Sequence, residues 1–135
     1  MGEIILEKKD FIEKGINNGS LVYRGQVTQD RFIEELRTID VFVMASLHES
    51  FGLSAIDALQ SGASLLLSDQ CGVAEVLSLQ DCDRITIKNS EQEVARKIER
   101  LIKYPNAERL AKTVNYKRYN WEVFATEFVN VLKSL

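Results

Sequence analysis

The sequence predicts an α/β layer fold: about four mainly parallel strands with flanking helices. Three observations carry this. Four short apolar runs recur along the chain, Leu21-Val22-Tyr23, Val41-Phe42-Val43-Met44, Leu65-Leu66-Leu67 and Ile85-Thr86-Ile87. They are mostly continuous rather than alternating, which suits strands covered on both faces. Amphipathic stretches separate them, and strand–helix alternation favours parallel pairing with helical crossovers. In such sheets ligands bind beyond the carboxyl ends of the strands, which singles out the loops at 24–28, 45–53 and 68–74.

Each helix has its own justification. Residues 3–16 set Ile5, Phe11, Ile12 and Ile16 among charges. Residues 29–38 place Phe32, Ile33 and Leu36 on one face, and Thr28 is suited to cap them. Residues 53–61 carry Leu53, Ile56 and Leu59 and stop at Gly62. Residues 72–79 read as a shorter helix. Residues 91–103 repeat Val94, Ile98, Leu101 and Ile102 behind Ser90, with Glu93 at capping-box spacing. Residues 121–135 form the clearest amphipathic pattern, with Trp121, Phe124, Phe128, Val131, Leu132 and Leu135 at three- and four-residue steps.

Length and composition narrow the function classes. The chain has 135 residues, enough for one domain with a core. Its formal charge of −3 supplies no global basic field, so nucleic acid is not an expected partner. The charge is uneven: residues 1–87 hold 7 basic and 14 acidic groups, residues 88–118 hold 9 and 4. No apolar run reaches the ~18 residues of a membrane span, and peripheral membrane contact has no support in the pattern. The start lacks a secretion or myristoylation signal, and the cytoplasm is the expected location. Cys71 and Cys82 with the single His48 cannot assemble a structural zinc site, so no metal or other cofactor is expected and both thiols read as free.

The informative stretch runs from Ser46 through Leu47, His48, Glu49, Ser50, Phe51, Gly52 and Leu53 to Asp57 and Gly62. It reads as a strand end, a polar loop with a glycine, then a helix start whose open N–H groups and dipole suit an anion such as phosphate. Gly52 allows close approach of a ligand to the backbone. Glu49 and Asp57 cannot favour the phosphate itself and suit hydroxyl-rich neighbours; a carboxylate on a ribose diol is a known solution in dinucleotide folds. A second strand-to-helix loop places Gly72 at a helix start and Glu75 in its first turn, where Glu75 equally suits the helix dipole. Spacing alone leaves an ordinary helix start open in both places.

Taken in order, the pieces resemble the C-terminal domain of group 1 (family 4) glycosyltransferases of the GT-B fold. They are Val22-Tyr23-Arg24-Gly25-Gln26-Val27, Ile39 to Ser46, His48-Glu49-Ser50-Phe51-Gly52-Leu53, Asp57-Ala58-Leu59, Gly62, Ser68-Asp69, Gly72, Glu75 and Trp121-Glu122. The resemblance spans nearly the whole chain. It implies a partial Rossmann-like, nucleotide-sugar-binding domain over residues 1–135, with the acceptor domain absent. That family has two acidic residues eight positions apart, matched here by Glu49 and Asp57. By resemblance, Glu49 is the catalytic-site acid facing the transferred sugar, and Asp57 holds the ribose. Ser50, Phe51, Gly52, Leu53, Gly72 and Glu75 meet the donor's sugar and phosphate, and Tyr23, Arg24 and Gly25 lie near the base. The implied activity is retaining transfer of a hexose from a nucleoside diphosphate sugar to an acceptor.

Departures qualify that inference. Asp57 stands where the family usually has Glu, and Ala45 where proline is common. The family's basic Arg and Lys pair has no match, so the isolated chain is expected to be inactive, and a missing N-terminal half or a second copy is an expected partner. The Leu21–Tyr23 strand is expected to pair beside the Val41–Met44 strand. The alternatives are a non-catalytic nucleotide-sugar-binding or interaction module and a related sugar-processing enzyme such as an epimerase. His48 reads better as a satisfied loop histidine than as a catalyst. Ser46, Ser50 and Ser54 lack a nucleophile elbow. Tyr104, Tyr116 and Tyr119 beside Lys103, Lys117 and Arg118 read as a solvated helix face. Trp121 and Phe128 are expected to pack in a core or against the missing domain.

Overall fold

The computed structural model describes residues 9–114 and 121–134. The expected helix start at residue 3 with Ile5, the segment carrying Tyr116, Lys117, Arg118 and Tyr119, and Leu135 lie outside the described residues. So do the side chains of Phe11, Trp121 and Phe124. The elements, in order, are α1 (Lys9–Asn17), α2 (Gln29–Leu36), β1 (Val41–Met44), α3 (Leu53–Gln60), β2 (Ser64–Ser68), β3 (Arg84–Ile85), α4 (Glu91–Lys103), α5 (Ala107–Ala111) and α6 (Trp121–Lys133). Short 3-10 turns occupy Gly72–Glu75 and Asp81–Asp83.

The sheet is parallel, in the order β1-β2-β3. Val41 pairs with Ser64 and Met44 with Leu67; Leu67 then pairs with Arg84 and Ser68 with Ile85. All five β2 residues are buried, as the unbroken Leu65-Leu66-Leu67 run predicts for a central strand. Successive side chains alternate between faces. Leu65 and Leu67 join a core with Ile56 and Leu59 of α3, Leu36 of α2 and Leu110 of α5. Leu66 is fully buried outside that cluster, and α4, carrying buried Leu101, packs against β2.

Two helices begin as their sequences dictate. The Thr28 side chain accepts from the Arg31 N–H at the start of α2. Ser90 and Glu93 form the expected capping box: the Glu93 N–H reaches the Ser90 hydroxyl, and the Ser90 N–H reaches the Glu93 carboxylate at 2.6 Å. These bonds hold the Glu93 carboxyl below its ordinary pKa. Helix α3 stops before Gly62, whose φ of +94° ends it without strain.

The α/β parallel architecture is the predicted one, but the described sheet has three strands, not about four. Among the described residues, 21–23 form no ladder, neither beside β1 as expected nor elsewhere. Val22 and Tyr23 are about three-fifths exposed, and three residues without a neighbouring strand have no inter-strand bonds to offset the cost of ordering them. The third strand is Arg84–Ile85, not Ile85–Ile87. The Asn89 side chain accepts from the Thr86 N–H at 2.9 Å, and the Asn89 N–H returns to the Thr86 carbonyl at 3.0 Å. That local turn takes Thr86 out of the ladder. The expected helix 72–79 shortens to the Gly72–Glu75 turn, after which Leu77 turns into the core. Phe128 of α6 is 55% exposed, so of its two expected places the core of this chain is not the one it takes.

Candidate functional site

The site is assembled from two loops at the carboxyl ends of β1 and β2. The Glu49 N–H donates to the Gln70 carbonyl at 3.1 Å, and the Gly72 N–H donates to the Glu49 carbonyl at 3.1 Å. The Val73 N–H donates to the Phe51 carbonyl at 2.7 Å. Glu49 and Cys71 thereby form an isolated parallel bridge, a ladder continued beyond the strands. Gly72 is required by closeness: a β-carbon there would stand 2.2 Å from the Ser50 carbonyl oxygen.

Gly52 is the N-cap of α3, with φ 93° and ψ 54°. Only glycine adopts this left-handed conformation cheaply, and a β-carbon there would also meet the Met44 sulfur at 3.2 Å. The Ala55 N–H turns back to the Gly52 carbonyl at 3.0 Å, but no side chain at Gly52 caps the Leu53 and Ser54 amides, which open the helix. Leu53 is exposed at the helix start, and Asp57 lies one turn further along the same face, half-buried. Glu49 is half-buried, with its Cγ 3.5 Å from the place a Gly52 β-carbon would take. Neither the Glu49 nor the Asp57 carboxylate has an ion-pair partner among the described residues.

The structure therefore brings Glu49, Ser50, Phe51, Gly52, Leu53 and Asp57 together with the Gly72–Glu75 turn. Ser50 and Glu75 are exposed there, whereas Phe51 packs against the core. One expectation changes. Gly72 opens a short 3-10 turn rather than an α-helix, and its N–H is already bound to the Glu49 carbonyl, so the position contributes proximity instead of a free donor. Of the three residues expected near the base, Arg24 is tied to α2, its guanidinium 3.5 Å from Glu35, and Tyr23 is exposed. Beneath the loops, Cys71 is buried, and that burial pushes its thiol pKa up, with Glu49 adding to the rise.

Two features escaped the sequence reading. One is a cavity of about 450 Å³ at the carboxyl ends of all three strands. Its walls include Ser46 and Leu47 after β1, Ser68 and Gln70 at β2, and Thr86 and Ile87 after β3. The other is Asn106, whose buried side chain bonds both the N–H and the carbonyl of Leu65, each at 2.9 Å. An asparagine directly after Pro105 was the available signal, but it points equally to a helix cap.

The chain matches the model of the family described as glycosyl transferases group 1 over residues 6–120. The chain belongs to the group 1 glycosyltransferases. Over 136 aligned residues it is 26% identical to the uncharacterized glycosyltransferase MJ1607 of Methanocaldococcus jannaschii, covering 94% of this chain and 35% of that protein. Over 67 residues it is 34% identical to the serotype-specific mannosyltransferase WbdA of Escherichia coli, covering 50% of this chain and 8% of that protein. This glycosyltransferase chain thus spans about a third of one relative's length and under a tenth of the other's. Among its described residues no helix is long and apolar enough to cross a membrane.

Proposed function

We propose that this glycosyltransferase domain binds the donor, a nucleoside diphosphate sugar, in a reaction that moves a hexose to an acceptor with retention at the anomeric carbon. The observation that carries the reading is the uncapped start of α3, held between two carboxylates, Glu49 and Asp57, that have no ion-pair partner among the described residues. Open helix amides suit a phosphate. Carboxylates do not, but they accept hydrogen bonds from sugar hydroxyls. On this reading Asp57 takes the ribose and Glu49 the transferred sugar, while the Gly72–Glu75 turn closes the far side with Glu75.

Transfer with a diphosphate leaving group builds negative charge that preorganised cations must meet. Arg84 is 3.2 Å from Asp69 and Arg24 is paired with Glu35, so neither is a free cation for this purpose. The remaining charge compensation and the rest of the cleft then come from a longer protein or a second chain. We therefore expect the 135-residue chain to bind donor without transferring sugar at a useful rate.

Calorimetric titration with UDP, GDP and their hexose conjugates tests the reading. Glu49→Ala should weaken the sugar conjugate and spare the bare diphosphate. Equal losses for both ligands would remove Glu49 from the sugar side of the site.

A further inference from the structure

Strand β1 leaves one edge of the sheet open. It pairs with β2 alone, and residues 21–23 form no ladder on its other side. The Asp40 carbonyl accepts from the Ser64 N–H at 2.9 Å, so residue 40 turns its backbone groups towards β2. Those groups alternate sides along a strand, so Phe42 and Met44 also face β2, while Val41 and Val43 face outward. Among the described residues, no hydrogen bond reaches the outward N–H or carbonyl of either valine. Val41-Phe42-Val43-Met44 also lacks the lysine, proline or bulge that usually guards such an edge.

Burial points the same way. Every residue of central β2 is buried, whereas Val41, Phe42 and Met44 are half-buried and Val43 is 39% exposed. The occupant that this edge matches in both hydrogen bonding and side chains is its own copy. A two-fold axis makes an identical strand antiparallel, and outward groups can then bond only to outward groups. With the axis at Phe42, Val41 stands opposite the partner's Val43, and the two exchange both N–H···O bonds. Phe42 meets the partner's Phe42 in the closer, non-bonded pair, where aromatic neighbours are favourable. Asp40 is the only charge in residues 39–46 and falls opposite the partner's Met44, so no like charges face each other.

We propose that two copies of this chain pair through β1, antiparallel about Phe42, joining their three-stranded sheets into one. The two β1 carboxyl ends then point in opposite directions, so the two 45–53 loops stand apart. Each copy keeps its own Glu49–Asp57 face, and the pairing does not rest on the donor reading.

Sedimentation velocity of the 135-residue chain across a concentration series tests this, beside amide hydrogen exchange at both ends of the series. Wild type should pass from monomer to dimer, with the Val41 and Val43 amides slowing in exchange as the dimer forms. Val43→Pro removes an outward N–H and no bond to β2, the kind of edge position that tolerates proline. It should keep the far-UV circular dichroism of wild type and raise the dimer Kd about tenfold or more. Val43→Lys should do the same by setting a lysine of each copy beside the axis. A wild-type chain that stays monomeric throughout the series would overturn the proposal. So would a dimer that Val43→Pro leaves intact and Phe128→Asp dissolves, which would run through the exposed face of α6. If the amides of residues 21–23 slow together with Val41 and Val43, the partner strand is that segment and the β1 self-pairing falls. If Val43→Pro does not fold, exchange in wild type decides: slowing confined to β1 supports the pairing, and no slowing overturns it.

Discussion

Gly72 and Ser50 approach so closely that a β-carbon on Gly72 would stand 2.2 Å from the Ser50 carbonyl oxygen. The obstacle is backbone, which cannot swing aside as a side-chain tip can. Gly72→Ala must therefore separate the loops joined by the Glu49, Phe51, Gly72 and Val73 backbone bonds. A cost of about 1–3 kcal/mol is expected, the scale of overpacking, visible as a lower urea midpoint. The same variant should weaken nucleoside diphosphate binding, because it displaces the chain leading into Gly52. Unchanged stability together with unchanged affinity would show that the loops separate freely and do not act as one unit.

The sequence made the central strand, the capped helices and the Glu49–Gly52 loop legible because each depends on local rules. Leu65-Leu66-Leu67 reads as a buried strand from its continuity, Ser90 and Glu93 read as a cap from their spacing, and Gly62 reads as a stop. The acids and glycine around α3 stand out in the same local way. Apart from the local Asn89 turn, what stayed hidden depends on distant partners. Residues 21–23 have strand-like composition but no neighbour to pair with. Ile85-Thr86-Ile87 loses its end to an Asn89 turn, and Gly72 is committed to Glu49 across the fold. The cavity joins Leu47, Gln70 and Ile87 from three separate strand ends, a meeting that no pattern along the chain announces.

Asn106 is the least legible of the structural residues. On β2, Leu67 pairs with β3, and Leu65, two residues earlier, offers its polar groups on the same side with no strand opposite. The Asn106 amide fills that place, and its nitrogen also donates to buried Asp83 at 2.8 Å. Asn106→Ala leaves the Leu65 groups unsatisfied in the core, at about 1–3 kcal/mol for each. Asn106→Asp is nearly the same size, yet it cannot donate to the Leu65 carbonyl and brings a second carboxylate to Asp83. Urea denaturation at neutral pH should find it at least as unstable as the alanine variant. A wild-type midpoint for Asn106→Asp would show that shape alone matters at this position.

Asp83 makes folding sensitive to acid. Burial raises its pKa, but hydrogen bonds from Asn106 and the Gln80 N–H, together with the Arg109 guanidinium, outweigh burial and lower it from 3.8. A carboxylate with a depressed native pKa contributes stability that is complete above the unfolded value. That contribution is lost as pH falls from 3.8 through the lower native value. The stability advantage of wild type over Asp83→Asn should be flat above this window and shrink within it. Denaturation measured across the acid range checks this, and an advantage that persists unchanged into strong acid would contradict it.

Asp57 provides the sharpest test of the donor site, because its carboxylate has no ion-pair partner among the described residues and lies one helical turn behind the open α3 start. If it accepts from the ribose hydroxyls, Asp57→Ala should weaken UDP or GDP binding by about 1–3 kcal/mol, the scale of charge-assisted hydrogen bonds. Fold stability should change little, since no ion pair is broken within the protein. Asp57→Glu adds one methylene on a half-buried helix face and keeps the charge, so it should bind at least nearly as well and gain reach towards the ribose. A 2′-deoxy nucleotide supplies the complementary cut: it should lose affinity to wild type but lose little further to Asp57→Ala, since the two changes remove the same bond. Fully additive losses, or equal affinities for all three proteins, would place the ribose elsewhere.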